Sequence, residues 1–97
     1  MAHECMRGIV KTIIDGLKDA NMQYDWAVDA KAHGNTEVSH LHISEAKKRL
    51  DGAKEWYDKA RAMIPHSEHT ELEEFLMRHY KDWYHELREK IESFSRG

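Results

Sequence analysis

The stretch Thr36–Ala60, TEVSHLHISEAKKRLDGAKEWYDKA, decides how this chain folds. Apolar residues recur in it at Ile43, Ala46, Leu50, Ala53, Tyr57 and Ala60, in steps of three and four, and Ile64 continues the series. Such steps lay one stripe along a helix with a period near 3.5, the pattern of long helices that cross at a shallow angle. Large residues alternate with alanine, so a neighbouring backbone can come close. The same stretch holds His40, His42 and Glu45 within two helical turns, in a chain with eight histidines. It therefore raises two readings, a packing helix with wet histidines or a metal-ligand helix.

Two breaks bound the stretch. Before it stands AHGN, Ala32 to Asn35. Gly34 suits the left-handed end of a helix, and Asn35 or Thr36 suits the cap of the next. After it stands IPHSEHT, Ile64 to Thr70, where Pro65 stops a helix. Thr70 and Glu73 have capping-box spacing, with Ser67 as a competing cap. The flanking segments repeat the apolar stripe. The first carries Met6, Val10, Ile13, Leu17, Ala20, Tyr24 and Ala27; the third carries Leu72, Leu76, Tyr80, Trp83, Leu87, Ile91 and Phe94. No segment alternates with period two, so no strand is expected. The pattern predicts an all-α chain, one helical domain with helices over roughly 2–32, 36–64 and 68–95. Helices of that length are about 40 Å long. Short turns make sequential helices antiparallel neighbours, which gives an up-down-up bundle of three.

Composition agrees and excludes several functions. Of the 97 residues 34% are charged and 40% hydrophobic, with one proline and five glycines, the balance of a helical protein. Eighteen acids against fifteen bases leave a formal charge of −3. There is no basic stripe for nucleic acid, since KKR at Lys47–Arg49 is too short. The single cysteine, Cys5, forms no internal disulfide. No stretch is long and apolar enough to cross a bilayer, and MAHECMRGIV lacks the pattern of a signal peptide. A cytoplasmic location is the expectation. Neither HExxH, CxxC nor a glycine-rich phosphate loop occurs, so catalysis has no motif behind it.

The three stripes leave a remainder. Met22 and Trp26 lie one turn apart and point away from the Tyr24 stripe, and Trp56 and Met63 form a second row beside the core of helix two. Apolar groups left outside a core usually meet a partner. Three-helix bundles pair readily. The expectation is a homo-oligomer, with a heterologous protein partner as the second reading of Met22, Trp26, Trp56 and Met63.

The metal reading rests on local pairs. His42 and Glu45 are three residues apart, Asp82 and His85 likewise, and Asp25 falls at a similar height to Glu45. Carboxylates and histidines at that spacing, on facing helices, build iron sites in bundles. These five residues are the candidate ligands, with iron or zinc as the metal. Against them, Glu45 and His42 lie on the margin of their stripe, and His85 shares a face with Arg78, Lys81, Arg88 and Glu92. The reading preferred here has no cofactor. Of the other histidines, His79 falls between Leu76 and Trp83 on or beside the apolar stripe.

The chain resembles small ferritin-like, rubrerythrin-related helical proteins. The resemblance is carried by Asp19-Ala20, Tyr24, Ala27 or Val28 and the glycine turn at Gly34, by Thr36-Glu37-Val38 opening helix two, and by Asp82-Trp83-Tyr84-His85-Glu86. It implies a ferritin-like frame. The family's Glu-x-x-His iron motif falls near Arg49 to Gly52 when the turns are matched, and neither Arg49 nor Gly52 can ligate as a carboxylate or imidazole. The expectation is a non-catalytic scaffold or protein-interaction module on that frame. The alternative is a metal-binding protein with a His/carboxylate site of another design.

Overall fold

The structure, a computed structural model, describes the backbone of residues 2–63 and 71–96 and the side chains of 8–62 and 78–96. It has three helices, α1 (Ala2–Ala32), α2 (Thr36–Met63) and α3 (Glu71–Arg96). No strand occurs among the described residues. The described helices run to Ala32 and to Met63, and Ile64 lies outside the described residues. Thr70, with Ser67 and Pro65, lies outside the described residues, as do the side chains of Met6, Met63, Leu72 and Leu76.

Three residues reverse the chain between α1 and α2. Gly34 has φ of 77°, a conformation that costs other residues steric strain. Its N–H donates to the Lys31 carbonyl at 3.0 Å, and the Asn35 N–H donates to the Ala30 carbonyl at 2.8 Å. That pair of bonds is the Schellman closure of a helix end. Asn35 then opens α2. Its Oδ1 accepts from the Val38 N–H at 3.3 Å, and its carbonyl accepts from the Ser39 N–H at 3.0 Å. Of the two capping residues the sequence allows, Asn35 is the one used. At the same end the His33 Nδ1–H donates at 2.8 Å to the Asp29 carbonyl, which also accepts the His33 backbone N–H at 3.1 Å.

The hairpin packs backbone-close. Ala20, Ala27, Ala46 and Ala60 are fully excluded from solvent, and Ala53 nearly so. Gly16 stands opposite Ala53. A Cβ on Gly16 would lie 3.2 Å from the Ala53 Cβ and 3.7 Å from the Arg49 carbonyl, so two helix axes approach where neither side chain exceeds a methyl. The sequence reading pairs the alanines of α2 with Ala20 and Ala27 and overlooks Gly16. Ser39, buried, donates its Oγ to the Ala27 carbonyl at 3.0 Å. This joins the two helices near their turn and leaves no polar atom of Ser39 without a partner.

The third helix packs at side-chain rather than backbone distance. Tyr80, Tyr84, Leu87 and Ile91 are its buried face. Tyr57 stacks on Tyr80 with ring centroids 4.1 Å apart, and Tyr80 on Tyr84 at 5.5 Å. Near the turn, Phe94 meets Tyr24 edge-on at 6.0 Å, with the Lys31 ammonium 4.9 Å from the Phe94 centroid. These contacts run antiparallel for α1/α2 and α2/α3 and parallel for α1/α3, an up-down-up bundle measuring 50 × 19 × 18 Å.

Two positions differ from the sequence reading. Tyr84, not Trp83, occupies the core, and Trp83 is half-buried beside it. Position 84 is four from 80 and three from 87, so both residues satisfy the heptad steps, and the stacking of Tyr84 on Tyr80 decides between them. His79, placed by its spacing on or beside the stripe, is exposed. It falls just outside the arc that Tyr80 and Tyr84 define.

Candidate functional site

The side of the hairpin away from α3 carries four exposed large apolar groups, while Val28 is exposed on another face of α1. Thr12, Asp15, Asp19, Met22 and Trp26 recur at steps of three and four and share one face of α1. Leu41, Glu45, Lys48, Gly52, Trp56 and Lys59 do the same on α2, with Arg49 beside them. The opposite faces are occupied: Leu50 of α2 lines a cleft with Tyr84 and Ile91 of α3, and Val10 and Leu17 of α1 line another with Tyr80 and Trp83. On the open side Met22 and Trp56 are each 41% exposed, Trp26 46% and Leu41 67%. Leu41 is the residue the sequence reading missed. It lies two residues from Ile43, and its neighbourhood to Trp26 emerges only when the two helices are set side by side. Lys59 lies over the Trp56 ring at 4.5 Å, which covers one face of the indole and leaves the other available.

His42 belongs to this side. Its Nδ1–H donates to Gln23 Oε1 at 2.7 Å, and its ring meets Trp26 edge-on at 5.4 Å. It is half-buried, so the expected wet histidine is a structural link between α1 and α2. The partner Gln23 was not legible because glutamine carries no distinctive periodic signal.

The five candidate metal ligands are dispersed. Glu45 lies 3.8 Å from both Lys48 and Arg49, Asp25 accepts from the Asn21 amide at 3.5 Å, and His85 stands edge-on to Tyr84 at 5.6 Å. Asp25, Asp82 and His85 are exposed. Among the described residues no group of three or more His, Cys, Asp or Glu side chains is placed to hold a metal ion.

Two open clefts follow one another along the α2/α3 seam and share Lys47. One of about 440 Å³ includes Lys47, Asp51, Lys54 and Arg88. The other, about 470 Å³, lies near the turn and sets Lys31, His40, Lys47 and Arg96 around Ile43 and Phe94. Arg88 is held by Glu92, its Nε–H donating at 3.0 Å; that bond and the carboxylate charge hold its guanidinium further toward the protonated form. Nothing in either cleft pairs a nucleophile with a base.

Inside the bundle, Tyr80 is the one described residue with a buried side-chain polar atom that has no hydrogen-bond partner. Burial, then the neighbouring Tyr84, Tyr57 and Asp58, push its phenol pKa well above the usual value of 10.0.

No family model, curated protein or solved structure matches this chain. Among the described residues no helix is long and apolar enough to cross a membrane.

Proposed function

We propose that this chain is a small non-catalytic protein-interaction module, a helical scaffold on a ferritin-like frame that acts through the open side of its α1–α2 hairpin. The observation that carries the reading is the exposure of Met22, Trp26, Leu41 and Trp56 on one side of two adjacent helices. Tryptophan and methionine concentrate at the centres of protein interfaces. Arg49 and Gly52, at the positions of the family's iron motif, suit a frame whose role is contact rather than metal chemistry.

The test is photo-crosslinking in the cell that naturally makes the protein. A photoreactive amino acid at position 26 should give adducts of discrete mass. The same group at position 89, exposed on α3, should give none. Absence of discrete adducts at position 26 sinks the reading.

A further inference from the structure

Charge is divided along the open side of the hairpin. The α1 stripe from Thr12 to Trp26 contains two acids, Asp15 and Asp19, with Lys11 and Lys18 at its outer edge, away from α2. The α2 stripe contains Lys48 and Lys59 against Glu45, with Arg49 on its edge toward α1 and Glu55 on its outer edge. Glu45 is shared between Lys48 and Arg49 at 3.8 Å from each, so that patch stays net positive. Asp15 and Asp19 enter none of the ion pairs among the described residues. An acidic strip and a basic strip thus run side by side on one face. The register of the hairpin sets their heights: Gly16 is level with Ala53 and Gln23 with His42, so Asp19 is level with Arg49.

We infer that a second copy of this chain covers the face, related by a two-fold axis that runs along the helices. The inference rests on the interaction reading above and names its partner. Rotation about that axis keeps heights and exchanges edges, so α1 of each copy lies over α2 of the other. Asp19 then faces Lys48 and Arg49 of the second copy, with Asp15 one helical turn further along, level with Gly52 and Ala53, and the contact is made twice. Trp26 and Met22 lie against Leu41 and His42 of the second copy at one end. In the middle, Gly52 gives room, since a Cβ there would meet nothing within 4 Å. The alternative two-fold axis, across the helices, sets acids against acids and bases against bases, and charge selects against it. The size also suffices. A molecule 50 Å long and 18–19 Å wide offers a flank of roughly 900 Å², comparable with the ~800 Å² each partner gives to a stable interface.

The experiment is light scattering on the full chain at tens of micromolar, with two charge-reversed variants, Asp15→Lys/Asp19→Lys and Lys48→Glu/Arg49→Glu. Wild type should have twice the monomer mass. Each variant alone should have the monomer mass with unchanged helical circular dichroism, because both copies of the contact become repulsive. An equimolar mixture should return to the dimer mass, since one contact is then native and the other reversed on both sides. A wild-type monomer at 100 µM, variants that stay dimeric alone, or a mixture that stays monomeric would each overturn the inference. If a variant loses helix, Asp19→Cys and Arg49→Cys chains, both with Cys5→Ser, are mixed and oxidised instead. A mixed disulfide should form in preference to either homodimer, and its absence overturns the inference. A monomeric wild type with heterologous adducts at position 26 removes the second copy and keeps the interaction reading. A monomer without adducts removes both.

Discussion

At Tyr80 a hydroxyl sits in the core with no hydrogen-bond partner among the described residues, between the rings of Tyr57 and Tyr84. A buried polar group left unpaired costs on the order of 1–3 kcal/mol. Tyr80→Phe keeps the stacked ring and removes the hydroxyl, so it should stabilise the bundle by about 1 kcal/mol, read as a higher urea midpoint at unchanged slope. The same residue imposes a pH dependence. Its pKa is raised in the folded state, so the unfolded chain loses the phenol proton first. The contribution is fully present below about pH 10 and is lost as pH climbs from there toward the folded value. The stability gap between Tyr80→Phe and wild type should therefore widen above pH 10, and a gap that is flat from pH 8 to 11 contradicts the buried phenol. Gly34 is the other decisive residue. Valine at its φ of 77° should lower stability by about 1–2 kcal/mol or more, measured by thermal or urea unfolding. Gly34 was readable from four letters, AHGN, because only glycine closes a helix at so little cost. Tyr84 was not readable, because adjacent aromatics at 83 and 84 fit the same stripe and differ only in what stands opposite.

Between elements, the deciding contact is Gly16 against Ala53. The alternation of large residues with alanine in Thr36–Ala60 identified α2 as a close-packing helix, and Ala53, 3% exposed, is buried as that pattern requires. Ala53→Leu should overpack the contact and cost about 1–3 kcal/mol in chemical denaturation, since the Gly16 backbone opposite cannot swing aside as a flexible side chain would. An unaffected midpoint would mean that α1 and α2 do not meet there. The turn between α1 and α2 was legible from glycine and the apolar steps. The interhelical links were less so: Ser39 to Ala27 and His42 to Gln23 depend on which polar groups the close approach happens to face. The exposed row of Met22, Trp26 and Trp56 was legible as what remained after the stripes were assigned. The levels of Asp19, Lys48 and Arg49 coincide only when the two helices are laid in register.

Across the whole molecule the helices differ in how they are held. The hairpin α1–α2 is joined by small residues, a buried serine and a three-residue turn, whereas α3 rests on aromatic and aliphatic side chains with two open clefts in succession along its α2 seam. Asn35 is common to two of the hairpin's parts, since its N–H closes α1 and its side chain opens α2. The chain's reversal and the start of its second helix are therefore a single event, and pairing can spread from it like a zip, one helical turn of α1 against one of α2. The entropy of closing each new loop is small when growth begins at the bend. On this ground Asn35→Ala should slow refolding by nearly the whole of its stability loss, about 1 kcal/mol, and leave unfolding almost unchanged, as read from the two arms of a denaturant chevron. If the loss falls on unfolding instead, the bend forms late. The order in which this bundle assembles would then be written in α3 and its tyrosines, not in the asparagine that two helices share.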